Sequence, residues 1–125
     1  MARLLLVDDD TPGLELRKLI LEREGHQVSA ASDVAAARSL FSETKPDSVV
    51  LDLRLPETKD GLALIREFRA AAPGLRIIVL SGWTPDLDGT PEARMVDELL
   101  AKPVRSARLS SAVAAASTGS TPLAR

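Results

Sequence analysis

The chain has no cysteine and no tyrosine, and its 125 residues include a single tryptophan and a single histidine. The missing thiols rule out a disulfide framework and thiolate chemistry, and they point to a cytoplasmic setting. Aromatic residues amount to only 2% of the chain, so the core must be aliphatic. No apolar string approaches the roughly 18 residues that cross a bilayer, and MARLLLVDDD turns acidic before a secretory apolar region could form. Membrane insertion is therefore not expected. With 18 acidic against 16 basic residues, the net charge of −2 gives no general attraction to nucleic acid or anionic lipid.

The length suits one domain, and an apolar content of 45% is enough for a shared core. That domain is expected over residues 1–116, followed by a Ser-, Thr-, Gly- and Pro-containing tail, 117–125, expected to be disordered. Short runs rich in Val, Ile and Leu at 4–7, 27–30, 48–51, 76–80 and 98–101 read as strands. Three of them are apolar enough to be buried on both faces of a parallel sheet.

The stretches between the runs carry helical spacing. Thr11 is expected to cap the first helix, with Pro12 in its first turn and Gly25 after its end. Leu16, Leu19, Ile20 and the aliphatic stem of Arg23 would face the sheet. A second helix from Asp33 buries Ala36, Leu40 and Ala37 before Pro46. A third, over 62–71, offers Leu62, Ile65 and Phe68 or Arg69 and stops before Pro73. A weak fourth lies at 91–96, and a fifth over 106–115 buries Leu109 and Val113. Strands alternating with helices in this way predict a parallel, three-layer α/β domain. Such sheets bind ligands beyond the carboxyl ends of their strands.

That rule singles out Asp8, Asp9 and Asp10 after the first strand, Asp52 at the end of the third, Ser81 after the fourth, and Lys102 with Pro103 after the fifth. One helix cap needs one residue, whereas carboxylates from two neighbouring strands repel in a low-dielectric crevice unless a cation sits among them. The donors are all oxygen, which suits Mg²⁺ held by Asp9, Asp52, a backbone carbonyl of the following loop, and Asp8 through water. His26 belongs to the opposite edge, so zinc is not the expected metal. Asp52 also has the company an aspartyl phosphate needs: a carboxylate to attack phosphorus, then a cation, an ammonium and a hydroxyl for the phosphoryl oxygens. Taken singly, Lys102 reads as a solvated lysine and Ser81 as a loop hydroxyl. Their shared edge is what carries the functional reading.

The motifs LLLVDDD, VVLDLRLP, VLSG and AKP, in this order and at this spacing, resemble the receiver domain of the two-component response-regulator family, the CheY-like domains. The resemblance implies an open five-stranded parallel sheet of flavodoxin-like order 2-1-3-4-5 with helices on both faces. It makes Asp52 the phosphoacceptor, supplied by a histidine kinase or a histidine phosphotransfer protein. Asp8 and Asp9 match the acidic pair for Mg²⁺, Asp9 directly and Asp8 mainly through water, and the carbonyl of Arg54 matches a third protein ligand. Asp10 fits a common third acid that need not touch metal. Ser81 and Lys102 match the hydroxyl and the lysine that answer phosphorylation, and Pro103 matches a proline reached through a cis bond. The output goes to a partner protein or to an attached output domain in a longer parent chain. Catalysis is confined to the domain's own phosphorylation and dephosphorylation, without turnover of an external substrate.

Several positions depart from the family pattern. Leu99 stands where an aromatic switch residue is usual, and it offers no hydroxyl and a smaller face. LPETKDG is one residue longer than usual before Asp60-Gly61, with Gly61 expected to support a tight turn. GWTPDLDGTPEARMVD, with two prolines and two glycines, predicts an irregular or short fourth helix. Arg54 and Trp83 occupy positions that influence acyl-phosphate hydrolysis, and neither orients water, so slow loss of phosphate is expected. Two rival readings remain open. A receiver that docks partners without phosphorylation is favoured by Leu99 and the irregular segment. A Mg²⁺-dependent phosphohydrolase would want a second carboxylate where Arg54 stands, and a cap over its substrate.

Overall fold

The structure, a computed structural model, describes residues 2–117. In chain order it comprises β1 (Arg3–Val7), α1 (Thr11–Arg23), β2 (Gln27–Ala31), α2 (Val34–Thr44), β3 (Ser48–Asp52), α3 (Thr58–Ala71), β4 (Arg76–Ser81), 3-10 turns at Thr84–Leu87 and Pro91–Met95, β5 (Glu98–Ala101) and α4 (Ser106–Ser117). The strands form one parallel sheet in the order β2-β1-β3-β4-β5. This is the doubly wound fold expected of the sequence. The tail expected to be disordered lies, beyond Ser117, outside the described residues.

Alternate residues of the three central strands feed two aliphatic cores. Leu5, Val7, Val49, Leu51, Ile77 and Val79 pack with Ala37 of α2 and with Leu64, Ile65 and Phe68 of α3. Leu4, Leu6, Val50, Ile78 and Leu80 pack with Leu14 and Leu21 of α1 and with Leu109 and Val113 of α4. The scarce aromatics are used together: Phe41 and Phe68 stack with ring centroids 4.2 Å apart.

Four sequence expectations change. Asp10, not Thr11, is the cap residue of α1, and its side chain makes no capping bond. The buried stripe of α1 is Leu14 and Leu21, while Leu16 and Leu19 are 58% and 47% exposed. Apolar residues at 14, 16, 19, 20 and 21 run most of the way round this helix, so periodicity does not choose the face and packing does. α3 begins four positions earlier than residue 62, at Thr58, where the Asp60 carboxylate accepts the Glu57 N–H at 3.1 Å. Gly61 accordingly lies inside α3 and makes no turn: a Cβ there would stand 2.0 Å from the Leu53 carbonyl oxygen, so glycine permits a close approach of helix to chain.

The segment 82–97 supplies no regular helix, and four α-helices are described instead of five. Its prolines begin two 3-10 turns, joined through Gly89 at φ +75°. Leu87 packs with the α2 and α3 core, together with Ala93, Met95 and Val96. Arginines of α3 fix the second turn. Arg66 bonds the buried Glu92 at 2.5 Å, and Arg69 donates to the Met95 carbonyl at 2.6 Å and to Asp97 at 2.9 Å.

Candidate functional site

The carboxyl ends of β1, β3, β4 and β5 converge, as parallel pairing in one sheet requires. Val7 pairs with Leu51, Asp52 with Leu80, and Ser81 with Ala101, which brings Asp8, Asp52, Ser81 and Lys102 to one edge. Asp8 and Ser81 are both 2% exposed and Asp52 is 8% exposed, whereas Asp9 faces solvent. Carboxylate oxygens of Asp8, Asp9 and Asp52 lie within 4.8 Å of one another. Three hard oxygen donors, two of them on buried groups, fit a divalent cation. Asp10 is outside this set.

Lys102 bridges the buried acids, its Nζ standing 2.9 Å from Asp8 Oδ2 and 3.4 Å from Asp52 Oδ2. Its own N–H donates to the Ser81 carbonyl at 2.8 Å, which ties β5 to the end of β4, and the Lys102–Pro103 bond is cis. The Leu55–Pro56 bond is cis as well, a feature not expected from the sequence. The Ser81 hydroxyl accepts the Trp83 N–H at 3.0 Å. Trp83 is 59% exposed at the start of the first 3-10 turn. Leu99 pairs with Val79 and is half-buried against the α2 and α3 core.

The two buried carboxyls are pushed in opposite directions. Burial raises the pKa of Asp8, but the Asp10 N–H, Lys102 and Arg17 together outweigh it and hold the group below its ordinary value. Burial also raises Asp52, and here it prevails. Lys102 and the Arg54 N–H offset it only in part, and the charge of Asp8 adds to it, so Asp52 sits above its ordinary value.

Three participants were not identified from the sequence. Arg17 places an Nη 2.5 Å from Asp8 Oδ2. It lies on the α1 stripe between Leu14 and Leu21, a face that the sequence does not single out, so only its spacing of nine residues from Asp8 could have hinted at the pair. The other two are Asp86 and Thr58. Arg54 directs its Nε to Asp86 Oδ2 at 2.8 Å, and the Thr58 hydroxyl reaches the same oxygen at 3.2 Å. Nothing local to VVLDLRLP announces a partner 32 residues away.

Fold and site together define a doubly wound α/β domain with an acidic, lysine-bridged centre beyond its strand ends. A family model described as the response regulator receiver domain matches residues 4–114, and the chain belongs to that family, whose members act in signal transduction. A receiver domain protein from Clostridium thermocellum superposes with a TM-score of 0.85 at 30% identity, covering 96% of this chain and 97% of that one. TrrA from Thermotoga maritima, solved in complex with Mg²⁺ and BeF, gives a TM-score of 0.82 at 28% identity, covering 93% of this chain and 99% of that one. The virulence transcriptional regulatory protein PhoP of Salmonella typhi is 40% identical over 86 residues, 66% of this chain and 38% of PhoP. The transcriptional regulatory protein GlrR of Escherichia coli is 38% identical over 105 residues, 82% of this chain and 23% of GlrR. The chain thus spans less than half the length of these curated relatives. No helix among the described residues is long and apolar enough to cross a membrane.

Proposed function

We propose that this domain receives a phosphoryl group on Asp52 from a histidine kinase or a histidine phosphotransfer protein in the cytoplasm, and thereby changes its affinity for an output protein or an attached output domain. The observation that carries this reading is the Lys102 ammonium, 2.9 Å from Asp8 and 3.4 Å from Asp52, at the edge where Ser81 also ends its strand. An Asp52 oxygen attacks phosphorus while the bond from phosphorus to the donor breaks. Mg²⁺, held by Asp9, Asp52 and the Arg54 carbonyl, with Asp8 through water, would neutralise charge on the transferring group. Lys102 and the Ser81 hydroxyl turn to the phosphoryl oxygens, which draws the end of β4 and the start of the Pro103 loop toward Asp52. Leu99 follows by repacking, without an aromatic rotamer change. Catalysis is limited to the domain's own phosphorylation and dephosphorylation.

Intact-mass measurement after incubation with Mg²⁺ and acetyl phosphate tests this directly. The parent should gain about 80 Da, one phosphoryl group, and Asp52→Asn should gain nothing. Absence of the gain, or equal gain in both proteins, overturns the assignment. Turnover of many external substrate molecules would support the phosphohydrolase reading instead.

A further inference from the structure

Besides the packing of Leu87, Ala93, Met95 and Val96 on the core, three arginines tie the irregular segment 82–97 to the rest of the domain, and they are not equivalent. Arg66 and Arg69 both come from α3 and hold the second 3-10 turn through the buried Glu92, the Met95 carbonyl and Asp97. Arg54 comes from the loop two residues past Asp52, and it holds the first turn through Asp86. Gly89, at φ +75°, separates the two turns.

The Arg54 contact is the closest of the three to the chemistry, and its acid is less buried than the Glu92 that Arg66 holds, at 15% against 5% side-chain exposure. Its side chain is 57% exposed, and it meets Asp86 through Nε alone, at 2.8 Å. A solvent-facing, one-point ion pair contributes little, whereas a guanidinium meeting a phosphoryl group can bond through two parallel N–H donors. Once Arg54 leaves, Asp86 Oδ2 retains the Thr58 hydroxyl at 3.2 Å, a long bond. The turn then keeps its internal bonds, Asp86 N–H to the Trp83 carbonyl at 3.1 Å and Asp88 N–H to the Pro85 carbonyl at 3.0 Å, and the burial of Leu87 at its end, but its Trp83–Asp86 half has lost its charged tie.

We propose that the Arg54–Asp86 pair is a latch: phosphorylation of Asp52 draws Arg54 off Asp86 and loosens the turn Thr84–Leu87, while Arg66 and Arg69 keep Pro91–Met95 in place. Asp86 is thus a positioning residue, acting on the site through Arg54, and the altered output surface is the 83–90 half of the segment with the exposed Trp83. The latch rests on Asp52 being the phosphoacceptor.

Hydrogen exchange read by mass spectrometry, on protein treated with Mg²⁺ and acetyl phosphate, reports both events in one sample. In the parent the phosphoryl mass gain should be accompanied by about fivefold lower protection over 83–90 and unchanged protection over 91–97. Asp86→Asn should show the lowered protection before phosphorylation and little further change after it, and Asp86→Glu should restore the parental response. A phosphorylated parent whose 83–90 segment is unchanged or better protected overturns the latch and leaves the phosphoacceptor reading intact. Absence of the mass gain overturns that reading and the latch with it.

Discussion

Arg17 reaches back from α1 to within 2.5 Å of Asp8 Oδ2, the same oxygen that Lys102 approaches to 2.9 Å. The Asp10 N–H and these two cations keep Asp8 ionised although it is buried, and the cations oppose the arrival of a third. Arg17→Met is expected to bind Mg²⁺ about fivefold more tightly, since a like charge is removed from a site of intermediate dielectric. In chelator it should be less stable by about 1–2 kcal/mol, because Asp8 stays buried with one partner fewer. Titration calorimetry and urea unfolding separate the two effects. Unchanged or weaker Mg²⁺ binding would mean that Arg17 orients Asp8 and does not compete for it.

Gly61 lets α3 press against the chain leaving β3, with no room for a methyl beside the Leu53 carbonyl. The obstruction is backbone, so no rotamer relieves it. Gly61→Ala should cost roughly 2–4 kcal/mol. It should also slow phosphoryl uptake, because Leu53 directly follows Asp52. Urea unfolding checks the first effect and the rate of mass gain the second. A cost below about 0.5 kcal/mol, the usual range for surface changes, contradicts the close approach.

Glu92 is 4% exposed and receives Arg66 Nη1 at 2.5 Å. That bond lowers the carboxyl's pKa more than burial raises it. The folded chain therefore takes up the proton less readily than the unfolded chain. The resulting stability is present above the unfolded carboxylate value and is lost as pH falls through the depressed folded value. Glu92→Gln should be less stable than the parent by about 1 kcal/mol at neutral pH. The gap should begin to narrow below about pH 4, where the unfolded carboxylate takes up its proton, and close only below the depressed folded value. Urea midpoints measured across that range check it, and a gap independent of pH would show that the charge is not the source.

The parts of this domain legible in its sequence are those set by local chemistry. Val-Val-Leu ahead of Asp52 is a buried strand in any sheet, and strand-end polarity brings Asp8, Asp52, Ser81 and Lys102 to one edge once the strands run parallel. The face of α1 was not legible, because leucines surround that helix and only contact with β1 and α4 selects Leu14 and Leu21. The start of α3 was hidden by reading ETKDG as loop, although Glu57 and Asp60 join across the helix start. Asp86 was out of reach for a different reason. Its partnership with Arg54 spans two connections whose relative positions follow from the assembled fold.

With Asp52 as the proposed phosphoacceptor, Trp83 and Arg54 are expected to set how long phosphate stays on it. Trp83 is mostly exposed, with its N–H on the Ser81 hydroxyl, and Arg54 is held on Asp86, so neither shields Asp52 fully in the present arrangement. On the proposed latch, shielding by Arg54 comes after phosphorylation, when the guanidinium would move to the phosphoryl oxygens and exclude the attacking water. Arg54→Asn combined with Trp83→Gln, which supplies amides able to orient water, is expected to lose phosphate about tenfold faster, equivalent to about 1.4 kcal/mol of barrier. Asp86→Asn, which frees Arg54 without removing it, should retain phosphate longer than the parent. Decay of the phosphorylated mass after removal of acetyl phosphate measures both. Equal lifetimes in all three proteins would show that water reaches the acyl phosphate without passing these side chains. A shorter lifetime in Asp86→Asn would show that Arg54 protects the phosphate from its place on Asp86.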